Sequence, residues 1–274
     1  MSIRLEVTIL GCGSSGGVPR ADGEWGACDP ANPKNLRNRC SMMVRRLGDT
    51  PLTSTTVVVD TSPDFRIQTA MAGAKRLDGV LLTHDHADQV HGLDDIRAFF
   101  IRQGARIPVW MDPPTSRTLL GRFDYVFEGQ GGYPAIAQPH LIPPHGQAWT
   151  VDGPSGAIPV VTFDQDHGEI RSVGYRFGDV AYSSDVVDLD DAAFEALAGL
   201  DVWIVDALRR RPHPTHAHLD RTLQWIERAK PRRAILTNMH VDLDYEALRA
   251  ELPTGVEPAY DGLRFVHEVS EATA

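Results

Sequence analysis

Cysteine is scarce in this chain: its 274 residues carry three, Cys12, Cys28 and Cys40. An odd number spread over such a length points to reduced thiols rather than a disulfide framework. No apolar run is long enough to span a bilayer. The opening Met1–Val7 alternates like a strand and lacks the apolar core of a signal peptide, so the expected location is the cytoplasm. Basic residues are outnumbered, with 27 Lys and Arg against 37 Asp and Glu and a formal net charge of -10. That balance argues against an extended groove for long nucleic acid. It favours a small substrate held by local charges, to which bound metal would add positive charge of its own. Neither an internal repeat nor a dividing linker is visible, and residues 1–274 are read as one domain, long enough to bury a core. A homodimer is compatible with this reading.

What the chain does have is a concentration of imidazole and carboxylate at Thr83-His84-Asp85-His86-Ala87-Asp88-Gln89. The run before it, Gly79–Thr83, is apolar and too short for a helix, so it reads as an interior strand. His84 and His86 are two apart. Residues at that spacing diverge on a helix but share a face in extended or turn backbone, where both can reach one ion. After Asp88 the spacing of Val90, Leu93, Ile96, Phe99 and Phe100 is helical, so the loop joins a strand to a helix, a common place for binding sites. Two histidines and two aspartates within five residues match metal-ligand chemistry better than a solvated loop.

Along the chain, Leu5–Leu10 reads as a strand running into Gly11-Cys12-Gly13-Ser14-Ser15-Gly16-Gly17. Such a run either brings backbone N–H groups up to an anion or makes a tight turn. Residues 20–40 form a turn-rich loop in which Arg37 and Arg39 are either solvated or available to a substrate phosphate. Ser41–Leu47 and Thr55–Asp60 are predicted strands, and Asp60 is a candidate to orient a ligand histidine or to cap the helix expected over Phe65–Ala72. A strand over Ile107–Met111 and helix over Thr115–Phe127 precede a Gly- and Pro-rich stretch, 129–146, that reads as a long loop walling a site; its His140 and His145 are bystanders. Ile158–Phe163 delivers His167, and the hairpin Val173–Phe177/Val180–Tyr182 delivers Asp185. Asp191–Ala198 is a predicted helix, and Asp201–Asp206 a strand ending in acid. Three histidines, His213, His216 and His218, precede a predicted helix over Leu219–Ala229, and a strand over Arg233–Thr237 delivers His240.

The motif His84-x-His86-x-Asp88 resembles the signature of the metallo-β-lactamase superfamily, and the full chain is most similar to the branch containing the phosphoribosyl cyclic phosphodiesterase of the phosphonate pathway. The resemblance implies a four-layer αββα sandwich with two mixed sheets and two divalent ions, zinc or manganese, at one rim. It implies that His84, His86 and His167 hold one ion, that Asp88 and His240 hold the other, and that Asp185 bridges them. Where the superfamily usually has a second histidine after the aspartate, this chain has Gln89, which makes one site the weaker; Gln89 is placed near the second ion and His91 outside its ligands. The structural zinc of the branch is not carried over, because only Cys28 stands in the early loop. The expected activity is attack of a metal-bridging hydroxide on a small cyclic or nucleotide-like phosphodiester, with Asp88 and His216 as catalytic residues and His216 and His218 on the substrate. His213, between two prolines, is read as structural. Alternatives are a thioester or lactam hydrolase on the same metals, a single-iron oxygenase, and a non-enzymatic metal-binding protein.

Overall fold

A computed structural model describes residues 2–270. Fourteen strands make two sheets of seven. The first contains β1 (Ser2–Gly11), β2 (Ser41–Arg46), β3 (Thr55–Val59), β4 (Gly79–Leu81), β5 (Ile107–Met111) and β6 (Ala137–Leu141). The second contains β7 (Trp149–Val151), β8 (Ile158–His167), β9 (Ile170–Phe177), β10 (Val180–Ser183), β11 (Val202–Asp206), β12 (Arg233–Thr237) and β13 (Val256–Pro258). The chain then returns as β14 (Arg264–Ser270) to pair antiparallel with β1, giving the orders β14-β1-β2-β3-β4-β5-β6 and β13-β12-β11-β10-β9-β8-β7. Each sheet is mixed: β1 to β3 and β7 to β10 pair antiparallel, whereas β3 to β6 and β10 to β13 run parallel.

Period-two alternation sorts the apolar side chains into layers. Met42, Val44, Val57, Val59 and Leu81 turn inward, into a core shared with Tyr175, Tyr182, Trp203 and Ile204 of the second sheet. Their neighbours Met43, Val58, Val80 and Leu82 turn outward. That outer face is covered by α1 (Phe65–Met71), the short α2 (Ala87–Val90), α3 (Arg97–Gln103), α4 (Pro113–Arg122) and α5 (Asp124–Phe127), through Phe65, Val90, Phe99, Leu119 and Val126. On the second sheet lie α6 (Asp191–Ala196), α7 (Leu219–Ala229) and α8 (Tyr245–Glu251), which bring Ala193, Trp225 and Leu248 to the core. The expected two-sheet sandwich is therefore present.

Several boundaries differ from the sequence reading. The helix expected after Asp88 is broken into α2, a 3-10 turn at Leu93–Ile96, and α3. Gly92 makes the break. It presses so close to the Ser62 carbonyl that a Cβ there would lie 2.0 Å from the oxygen, and its N–H bonds to the Thr61 carbonyl at 2.9 Å. The helix expected over Thr115–Phe127 is divided at Phe123. Within 129–146, read as loop throughout, β6 forms the edge of the first sheet. His140 stacks there on Trp110, and His145 bonds Thr162, so both stand apart from the chemistry. The strand over Ile158–Phe163 extends to His167 itself.

Candidate metal centre

The parallel strands of both sheets end at one rim. Past β4, the backbone N–H and the hydroxyl of Thr83 donate to the buried Asp60 carboxylate, at 2.8 and 3.0 Å. With its proton committed there, the Thr83 oxygen accepts from His84 Nδ1 at 2.9 Å. This fixes the tautomer of His84 and leaves Nε2 with its lone pair free, buried and, among the described residues, without a hydrogen-bond partner. Asp60 thus supports a histidine through a threonine rather than directly, and the cap position of α1 falls to Asp64. His167, the last residue of β8, has Nδ1 2.7 Å from the Thr215 carbonyl, which again directs Nε2 inward, 3.4 Å from His86 Nδ1. The three rings lie 4.5 to 5.1 Å apart, edge to face. Nitrogen atoms of His84, His86 and His167 can share one ion, and donor atoms of His167, Asp185 and His216 also fall within 4.8 Å of one another. A buried orphan nitrogen and imidazoles oriented from behind fit a divalent metal.

Asp88 and Asp185 are linked by Gln89, whose side-chain amide nitrogen lies 3.1 Å from a carboxylate oxygen of each. Gln89 is buried, and among the described residues its Oε1 has no partner. His91 points away, exposed, with its ring against Phe123. His240 stands outside the imidazole cluster: Nδ1 bonds Asp242 at 2.9 Å and Nε2 faces the Arg20 guanidinium. His216 Nδ1 lies 3.1 Å from Asp206, the last residue of β11, and its ring is 4.8 Å from that of His167. Asp206 also accepts from the Val186 N–H and the Asn238 amide. Its role escaped the sequence reading; the available signal was a strand ending in acid, the same pattern that singled out Asp60. Beyond His216 opens a cleft of ≈ 530 Å³, lined by His213, His218, Asp166, Asp188 and Arg221 among others.

Two basic residues and part of the glycine turn are engaged in contacts within the fold. Arg37 is buried, donating to the carbonyls of Leu243 (2.7 Å) and His240 (3.3 Å), and Arg39 pairs with Asp64. In the turn, the N–H groups of Gly13 and Ser14 are taken by the carbonyls of Asn38 and Met239. Gly11 and Gly13 let the backbone lie against residues 37–39, where a Cβ on Gly11 would meet the Arg39 carbonyl at 2.1 Å.

Burial, reinforced by the neighbouring imidazoles of His167 and His86, holds His84 well below the ordinary histidine range and therefore neutral, the form that ligates metal. Burial and the Asp185 charge raise Asp88. Asp60 is also raised well above its ordinary value, since burial outweighs the hydrogen bonds from Thr83. For His216 burial works downward, but the hydrogen bond and charge of Asp206, with Asp185 and Asp88 behind, prevail and raise it to about 9.

Two mixed sheets back to back, with histidines and aspartates gathered at the rim where parallel strands end, define a metal-dependent hydrolase of the metallo-β-lactamase fold. The Beta-lactamase superfamily domain matches residues 55–239, and the chain belongs to that family. Among solved structures it is similar to a diphosphatase from the PhnP family, at 36% identity and a TM-score of 0.85, covering 98% of this chain and 99% of that one. The zinc-bound PqqB of Methylobacterium extorquens shares the fold, with 18% identity, a TM-score of 0.70, and coverage of 95% and 99%. A curated relative, an octanoyltransferase of Porphyromonas gingivalis (strain ATCC BAA-308 / W83), is 28% identical over 267 residues, 96% of this chain but 51% of the relative. The chain thus spans about half the length of that protein. Among the described residues no helix is long and apolar enough to cross a membrane.

Proposed function

We propose that this chain is a phosphodiesterase acting on a small cyclic or nucleotide-like phosphodiester with two divalent ions, zinc or manganese. The observation that carries the reading is the end-to-end similarity, at 36% identity, to a diphosphatase, an enzyme of phosphoryl chemistry. His84, His86 and His167 would hold one ion, Asp88 and His240 the other, and Asp185 both, with Gln89 bracing the two carboxylates. His240 can serve there once its Nε2 is released by Arg20. Such ions supply Lewis acidity at the phosphoryl oxygens and a nucleophile at neutral pH. The protein's own part is orientation and proton transfer. Asp206 anchors His216 through Nδ1 and leaves Nε2 as the atom that gives a proton to the departing alkoxide, while His218, at the head of α7 and lining the same cleft, contacts the substrate.

The test is turnover of small cyclic phosphates, nucleotides and aryl phosphodiesters after loading with zinc or manganese. In His216→Ala, phosphodiesters with poor leaving groups should lose about 10²- to 10⁴-fold in kcat, while those with an activated aryl leaving group lose far less; equal losses on both would remove the acid role. The octanoyltransferase relative favours one second reading, hydrolysis of a thioester on the same ions, with an acyl carbon as electrophile. Octanoyl thioesters belong in the same panel, and their preferential turnover would replace the phosphodiester assignment.

A further inference from the structure

At the opposite end of the sandwich lies a second group of metal-ligating side chains that the reaction does not use. Asp179 sits in the turn between β9 and β10, Asp201 just before β11, and His267 on β14. Asp179 and Asp201 precede the same two parallel strands whose far ends carry Asp185 and Asp206, so the group stands about 15 Å from the catalytic rim, the length of those strands. His267 belongs to the first sheet, where it pairs with Leu5, and shares its face of the strand with Val269, which packs against Gly178 of the second sheet. Its ring therefore reaches across the gap between the sheets.

The separations are wider than direct hydrogen bonds and near those of donors around one ion. His267 Nε2 is 3.5 Å from an Asp179 oxygen and 3.7 Å from an Asp201 oxygen, with one donor atom of each residue within 4.8 Å of the others. An imidazolium bonded to carboxylate would close to about 2.7–2.9 Å. Donors about 2.0–2.2 Å from a shared tetrahedral ion stand about 3.3–3.6 Å apart. The Nε2 atom is buried and, among the described residues, has no hydrogen-bond partner, which an ion between the three side chains would remedy. Nearby cations do not fill that place. The Arg176 guanidinium is taken up by the carbonyls of Gly178, Ala196 and Ala198, and the largely exposed Arg232 approaches the other oxygen of Asp201 at 3.6 Å.

We propose that Asp179, Asp201 and His267 form a structural site for a divalent transition ion, which clamps β14 of the first sheet to the strand entries of the second. One imidazole nitrogen with two carboxylate oxygens suits zinc, water completing the coordination. The ion would tie the sheets together at the rim remote from catalysis.

The proposal is tested by counting zinc equivalents on chelator-treated full-length protein by equilibrium dialysis. A His84→Ala/His86→Ala/Asp88→Ala/Asp185→Asn variant, which takes ligands from both catalytic ions, isolates the remote site and should retain one zinc that raises the urea midpoint of unfolding. Adding His267→Ala or Asp179→Asn to that background should each abolish this equivalent and its effect on the midpoint, with circular dichroism confirming the fold. Asp179→Asn is the milder change and guards against a folding defect at His267. Retention of the zinc in either variant, or its absence from the His84→Ala/His86→Ala/Asp88→Ala/Asp185→Asn protein, would overturn the assignment. None of these readouts depends on catalysis, so failure of the phosphodiesterase reading leaves this one standing.

Discussion

Asp60, Asp185 and Asn238 follow the ends of β3, β10 and β12 with φ of 63, 53 and 59°, a left-handed backbone that Asp and Asn tolerate better than other side chains. Each bends its chain back at the rim and places a polar group where a β-branched residue could not go. The ligand loop was legible because its chemistry is local: two histidines and an aspartate lie within five residues. The supports were not, since Thr83 gains its meaning only from Asp60, 23 residues away, and His167 from the Thr215 carbonyl. Two predictions belong here. Thr83→Val removes the group that orients His84 and should weaken metal binding about 10- to 100-fold in chelator competition, whereas unchanged affinity would discard the orienting role. In a His267→Ala background, which removes the remote site, metal titration should resolve one tight and one looser site at the catalytic rim. Gln89→His should tighten the looser one, because an imidazole nitrogen is a better zinc donor than an amide; two equally tight rim sites with Gln89 in place would refute this.

The elements that the sequence announced are those with strong periodicity and clear stops. The helix expected over Leu219–Ala229 is α7, residue for residue, because an unbroken amphipathic face ends at Lys230 in a left-handed cap. The strand expected over Arg233–Thr237 is likewise β12. Elements that depend on partners were lost: β6, β7 and β13 are short edge or near-edge strands with little alternation, and β14 and α8 lie beyond the last ligand. Arg37, read as solvated or phosphate-binding, is buried because the loop 240–243 offers its carbonyls, a contact across more than 200 residues. Coupling between the sheets likewise depends on side chains that sequence spacing does not pair. The buried Tyr175 of β9 donates its hydroxyl to the Leu82 carbonyl at 2.7 Å, one residue before the Thr83 that positions His84. Tyr175→Phe leaves that carbonyl with one fewer donor and should cost about 1 kcal/mol in urea unfolding. It should also weaken metal binding, since the strand end it anchors carries the first ligands; a loss of stability with unchanged metal affinity would confine Tyr175 to packing.

Across the molecule, buried charge is concentrated at the catalytic rim and in the struts beside it, and this sets how stability responds to pH in the metal-free protein. Asp261 clamps the glycine turn to the loop before β2, accepting from the N–H groups of Cys12 (3.1 Å) and Asn38 (2.7 Å). Burial nevertheless raises it to about 6, against the hydrogen bonds from Asn38 and Cys12 that favour the charged form. The folded state therefore binds more proton than the unfolded chain between about pH 4 and 6, and stability must fall as pH rises through that window. The stability difference between wild type and Asp261→Asn should shift against wild type by up to about 3 kcal/mol over those two units, then stay flat. His216, a base raised to about 9, contributes in the next window. The stabilisation from its bond to Asp206 is fully present below about pH 6.5 and is lost as pH rises through about 9. Urea unfolding in chelator should show the difference between wild type and His216→Ala shrinking over pH 6.5 to 9, with no corresponding change from pH 4 to 6. If the His216→Ala difference instead grows toward alkaline pH, the imidazole is held neutral by its buried surroundings, and the Asp206 carboxylate does not govern its charge.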